Sequence, residues 1–261
     1  MNNSNKKKQD LLQKTVTRQK CNQWYKEFKK FLALDTLPQV NIIPILNEDT
    51  PQCEVKHPED RNKAHDIYVN QLLIPVYGFN PTKTIIFHEF THVYDDYILY
   101  PDLPSSKKHG YIWCYSEYHA TYIEMLCSLG FTHCNEQKKI TLDSPIYHEF
   151  QKTLKDFLVK ENEDMHITIN TLIEDRSCDN AIRILRFLAY DMARYNFLCN
   201  FCPEGLALFN AIEIYFNIFG KDSVLSLNEI FKRINENNFT LLSQAYEIEL
   251  EMIQYLIRKR E

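Results

Sequence analysis

A chain of 261 residues with 44% apolar and 25% charged residues is long enough for one large domain, or for two small ones sharing an interface. Its net charge of -5, its pI near 6.0 and the lack of a Lys/Arg tract beyond the three lysines at 6 to 8 argue against a nucleic-acid partner. The basic N-terminus has no apolar run of signal-peptide type and no stretch has the length of a bilayer span, so no membrane partner is expected and the expected location is cytoplasmic. Eight cysteines are scattered without the dense spacing of a secreted disulfide scaffold, and in that compartment they are expected as thiols.

In chain order, residues 7 to 34 are predicted helical, because Val16, Trp24, Phe28, Phe31 and Leu32 recur at helical spacings; Pro38 closes the segment. The runs QVNIIPIL, QCEVKH and HDIYVNQLLIPV, separated by NEDTPQ and PEDRNK, read as strands of a small, mostly antiparallel sheet. Asn80 and Pro81 supply an N-cap and a first helical residue, and apolar residues continue through Ile86, Phe90, Val93 and Tyr97. YPDLPSSKKHG reads as a loop, a second helix is predicted from about Tyr115 to Leu129, and everything from Ser144 onward reads as amphipathic helix. Only five glycines against sixteen tyrosines and sixteen phenylalanines fit long helices with aromatic packing. The expected fold is therefore α+β and predominantly helical, with residues 1–140 as one domain and 141–261 as an all-helical region, either a separate lobe or packed on the first.

Within the first of these two helices lies His88-Glu89-Phe90-Thr91-His92. Residues four apart share a helical face, so His88 and His92 can aim imidazoles at one metal ion while Glu89 projects beside them. Zinc with three protein ligands and a water lowers that water's pKa toward about 7, and a neighbouring carboxylate can take its proton. Glu89 is the expected general base. For the third ligand the next helix offers Glu117, 25 positions after His92, and Glu124, two turns further along. Glu117, near the start of its helix, is the choice, with Glu124 kept as the alternative. Asp96, four residues after His92, is a candidate to hydrogen-bond the far nitrogen of a histidine ligand; Asp95 is less well phased for that task.

HEFTHVYDD followed by SEYHATYIEML resembles the gluzincin arrangement, with HExxH on one helix and a glutamate on the next. The Asp four residues past the second His is similar to the thermolysin-type helix. The strand before the active helix, the spacing to Glu117 and the alanine at 120 resemble the ImmA/IrrE group of intracellular bacterial metallopeptidases, often encoded on phages and mobile elements, which cleave or regulate repressors. The resemblance covers roughly residues 65 to 130. It departs at Thr91, where ImmA/IrrE proteins commonly have glycine, and at Thr121, where the thermolysin-type pattern has Asp. It implies a zincin-like fold, Zn2+ as cofactor and a polypeptide substrate, with HDIYVNQ as the strand at the edge of the cleft.

An oxyanion donor is also expected, and Tyr94, His109, Tyr115, Tyr122, His133 and His148 qualify by chemistry. Cys199-Asn-Phe-Cys202 has no second ligand pair for a structural zinc and reads as two cysteines on an apolar face. The sequence reading is a zinc metallopeptidase acting on an intracellular protein. The alternative is a non-catalytic helical interaction module, zinc-braced or metal-free.

Overall fold

Helix α1 (Arg18–Phe31) starts at Thr17, whose hydroxyl accepts a hydrogen bond from the Lys20 N–H, and it ends with Lys29 and Lys30 beside its negative pole. The computed structural model describes residues 16–47, 52–60, 62–99, 105–148, 151–175, 177–234 and 239–258, and it is a predominantly helical α+β structure. Residues 7–15 of the helix expected at 7 to 34 lie outside the described residues. Its far end falls short of 34 because Ala33 turns left-handed, at φ 54°, and hands its N–H to the Lys30 carbonyl. Cys21, Trp24, Phe28 and Phe31 form the buried stripe of α1.

Three strands follow: β1 (Val40–Ile45), β2 (Cys53–Lys56) and β3 (His65–Asn70). β3 pairs in parallel with β1, from Val40 opposite His65, and antiparallel with β2, from Cys53 opposite Val69. The sheet is thus mixed rather than mostly antiparallel, in the order β1-β3-β2. HDIYVN is the central strand and not the edge: His65, Ile67, Val69 and Asn70 are buried, and β2 takes the edge. The strand expected to continue through QLLIPV instead breaks at Asn70, whose side chain accepts the Leu72 N–H, and a short helix α2 (Leu73–Tyr77) follows.

Helix α3 (Phe79–Ile98) begins at Gly78, two residues before the expected Asn80 cap, because Gly78 adopts φ 92° and so supplies the sharp turn itself. Helix α4 (Ser105–Ser128) starts ten residues earlier than the expected Tyr115 and absorbs half of the expected loop; residues 100–104 lie outside the described residues. Its Gly110 has open space around it and is tolerated within the helix. Phe28 and Phe31 of α1 meet Phe87 of α3 edge-on at 5.3 and 5.7 Å, and Tyr25 meets Phe90 at 4.7 Å, so an aromatic layer clamps the two helices together.

Past Ser144 the chain is not uniformly helical, since β4 (Pro145–His148) and β5 (Gln151–Thr153) form a small antiparallel pair. Thr153 then caps α5 (Leu154–Glu174) by accepting the Asp156 N–H, while its hydroxyl donates to the Asp156 carboxylate. Helix α6 (Cys178–Phe201) packs along α4 and buries Ile184, Leu185, Leu188, Met192 and Phe197. A 3-10 turn (Pro203–Ala207), α7 (Ile212–Phe219), α8 (Lys221–Arg233) and α9 (Phe239–Arg258) complete the described chain. One apolar core runs from Trp24 of α1 to Leu256 of α9, joining the N-terminal part to the helical part through α6. No helix among the described residues is long and apolar enough to cross a membrane.

One core group is polar. Glu249 of α9 is buried with neither carboxylate oxygen in a hydrogen-bond acceptor role, and burial pushes its carboxyl well above the usual range, with the Cys114 thiol of α4 as a polar neighbour. A raised carboxyl holds its proton longer in the folded chain than in the unfolded one, so its contribution is most favourable below about pH 4.3 and is lost as pH rises. Glu249→Leu is therefore expected to stabilise the protein by about 1–3 kcal/mol at pH 8 and by much less at pH 4. Thermal melts across that range check this, and a pH-independent difference would contradict it.

Candidate metal centre

α3 and α4 lie against one another, and the side chains facing across their interface are the ones the HEFTH motif singles out. His88 Nε2 stands 3.4 Å and His92 Nε2 3.5 Å from the same oxygen, Oε2 of Glu117. The two rings are 4.9 Å apart at 78°, as expected for residues one helical turn apart. Both histidines and Glu117 are partly buried, and each offers one ligand atom to a common point. Thr91, at the position of the common glycine, is fully buried and returns its hydroxyl to the Phe87 carbonyl at 2.9 Å, so its side chain is satisfied within its own helix.

The far nitrogens are held as well. His88 Nδ1 meets Glu124 Oε2 at 3.0 Å, so Glu124 sits on the opposite side of the ring from Glu117 and orients it. His92 Nδ1 lies 2.8 Å from Ser116 Oγ, which donates to Asp95 Oδ2 at 2.9 Å, while Asp95 Oδ1 lies 2.8 Å from His119 Nδ1. Asp95, fully buried, thus supports His92 through Ser116. Asp96, one residue further round the helix, faces the sheet, with Oδ2 at 3.7 Å from His57 Nδ1 and 3.9 Å from His65 Nε2. With Nδ1 of both ligand-type histidines engaged as donors, their Nε2 lone pairs and the Glu117 carboxylate converge as three acceptors.

Electrostatics among the protein groups alone respond to that crowding. Burial works to lower the His88 pKa, but the Glu117 and Glu124 carboxylates hydrogen-bonded to it outweigh burial and push it up to about 10. Burial, helped by the charge on His88, pushes His92 down to about 3. Burial opposes ionisation of Glu117 too, yet His88, His92 and Arg186 bring it down to about 2. Glu89 is driven up to about 8, chiefly by burial, with Glu117 and Glu124 adding to the rise and His88 opposing it. The proton on His88 occupies a place that a divalent cation would take.

These side chains open into a cleft of about 310 Å3. One wall is the edge strand β2 and the turn after it, with Cys53, Glu54, Val55 and His57; the other carries Trp113 of α4 and Arg186 and Tyr190 of α6, and Glu89 lies between them. Arg186 Nε contacts the second Glu117 oxygen at 3.1 Å, and its guanidinium stacks over Trp113. Tyr190 lines the cleft beside Glu117, and burial, with the Glu117 charge adding to it, holds its hydroxyl pKa well above the usual tyrosine range. Asp191, next to Tyr190, anchors α6 by accepting from Tyr215 at 2.8 Å and Arg194 at 3.0 Å.

Arg186, Tyr190 and Ser116 were not among the residues singled out from sequence. The signal for the first two was slight: they stand four apart on one helix, among other polar residues such as Arg183, Asp191 and Arg194. Of the expected oxyanion donors, Tyr94, Tyr115 and Tyr122 line a separate cavity behind α3 and α4, together with His119 and Asn196. His133 is exposed, His148 packs edge-on against Phe157, and the side chain of His109 lies outside the described residues. In the CxxC pair Cys202 is buried but Cys199 is exposed, and neither is in a disulfide.

Comparison with protein-family models, with curated proteins and with solved structures finds no match to this chain.

The geometry separates a candidate ligand from its candidate supports. Zinc affinity is expected to vanish in Glu117→Ala, and to fall about 10–100-fold in Glu124→Gln and in Ser116→Ala, as supports of this kind do. Competition against a fluorescent chelator measures all three; equal loss in Glu117→Ala and Glu124→Gln would contradict the division of roles.

Proposed function

We propose that this chain is a zinc-dependent metallopeptidase of zincin-like build, hydrolysing a peptide bond in an intracellular protein. The observation that carries the reading is the convergence of His88 Nε2, His92 Nε2 and Glu117 Oε2 at 3.4 and 3.5 Å, with Glu89 beside them in an open cleft. The donor set fits the ion: two neutral imidazoles and one carboxylate, pre-aimed by Glu124 and Ser116, match the His2Glu set of catalytic zinc and leave a position open. A zinc ion held by these three residues would supply Lewis acidity toward a peptide carbonyl and toward water.

The remaining work falls to the chain's own groups. Glu89, its carboxyl raised by burial, would accept a proton from water at its carboxylate oxygen and pass it to the leaving amine nitrogen. A cation between the histidines would draw its pKa down from about 8 and ready it as the base near neutral pH. Tyr190, whose raised pKa keeps its hydroxyl protonated, is the donor best placed to stabilise negative charge on the carbonyl oxygen. Arg186 holds the second oxygen of Glu117 and leaves Oε2 for the metal. β2, paired only on its β3 side among the described residues, supports binding of an extended polypeptide alongside Cys53–Lys56 by strand addition.

Glu89→Gln is expected to keep zinc and lose turnover of a denatured protein or peptide library, whereas His88→Ala loses both. Tyr190→Phe is expected to lower kcat about 10²–10³-fold with KM little changed. Turnover retained in zinc-loaded Glu89→Gln would sink the mechanism.

A further inference from the structure

A second group of donors stands in the same cleft and has no part in the chemistry above. His57 Nδ1 lies 3.1 Å from His65 Nδ1, and Asp96 Oδ2 lies 3.7 Å from His57 Nδ1 and 3.9 Å from His65 Nε2. One donor atom from each of the three residues falls within 4.8 Å of the others. The 3.1 Å contact uses His65 Nδ1 and the 3.9 Å contact His65 Nε2, so an ion would take one of the two, with the three donors drawing in from within 4.8 Å toward the about 3.3–3.4 Å separation found around a four-coordinate ion.

We propose that His57, His65 and Asp96 form a second metal site, for a first-row divalent transition-metal ion. The donor set is two imidazoles and a carboxylate, which suits zinc or iron(II) and is too nitrogen-rich for calcium or magnesium. The site is built rather than incidental. His65 is 2% and Asp96 5% exposed, and the three donors come from three elements locked together. His65 opens β3, His57 follows β2 directly, and the antiparallel register that sets Lys56 opposite Asp66 brings His57 opposite His65. Asp96 is presented by the last turn of α3. His57 and Asp96 both line the cleft, so an ion here keeps an open side toward substrate.

The three residues share no member with the set of His88, His92 and Glu117, so removing a ligand of one set leaves the ligands of the other in place. That separates this inference from the proposed peptidase centre, on which it does not rest.

The test uses the untagged full chain, stripped with chelator, dialysed against zinc and counted by elemental analysis. The wild type is expected to hold two ions per chain, His57→Ala one, His88→Ala one, and the double variant none. Asp96→Asn keeps the side-chain shape and should also hold one, which guards against a folding defect in His57→Ala; circular dichroism of each variant verifies the fold. A single ion in the wild type that persists in His57→Ala and Asp96→Asn would overturn the second site. So would two ions that both survive those substitutions. A full complement in His88→Ala beside a loss in His57→Ala would instead overturn the first site and leave this one standing.

Discussion

Everything at the candidate centre depends on one constraint: a glutamate from α4 is pressed against two imidazoles from α3, and all three present acceptors to one another. Groups of like polarity do not converge in a partly buried place unless something positive sits among them. A proton on His88 can serve, and so can a divalent cation with an open position. The surroundings are compatible with the second, because Glu124 and Ser116 can take the Nδ1 protons and leave both Nε2 lone pairs inward. Holding this geometry requires α3 and α4 to stay in fixed register. The aromatic layer of Tyr25, Phe28, Phe31, Phe87 and Phe90 supplies that from one side, and the apolar face of α6 does so from the other.

α6 ties the helical part of the chain to the site. It is the element that brings Arg186 and Tyr190 beside Glu117, and its position is set by Asp191, Arg194, Tyr215 and Glu161. The Asp191 carboxyl is itself driven up to about 6 by burial, a cost tolerated because Arg194 and Tyr215 hold it. The cleft is thus walled by two unlike surfaces. The β2 side offers backbone edge, Cys53 and Glu54; the facing side offers a guanidinium and a phenol from α6 and an indole from α4.

The helix carrying His88, Glu89 and His92 was legible in the sequence because four-residue spacing on a helix is a local property, and the approach of Glu117 to the two histidines was legible because the expected loop is long enough to swing the start of the next helix back toward the first. What required three dimensions was everything set by which way a neighbour turns. Asp95 and Asp96 both lie within a turn of His92; α4 stands on one side and the sheet on the other, so the roles fall opposite to simple phasing. His57 and His65 are eight residues apart and meet only because β2 and β3 pair antiparallel. HDIYVN has the alternation of a strand, yet alternation does not say whether a strand is central or at an edge. The turn at Asn70 and the β4–β5 pair were hidden because short apolar runs fit helix and strand alike.

The most direct measurement of the central claim is a crystal structure of the zinc-equilibrated protein with anomalous data collected on both sides of the zinc edge. The expected result is a peak about 2.0–2.2 Å from His88 Nε2, His92 Nε2 and a Glu117 oxygen, with no fourth protein ligand and with Glu89 beside the open position. No peak between those three atoms at saturating zinc would contradict the account. So would a peak closed by a fourth side chain such as Cys53, since that is the arrangement of a structural brace and not of a hydrolytic centre.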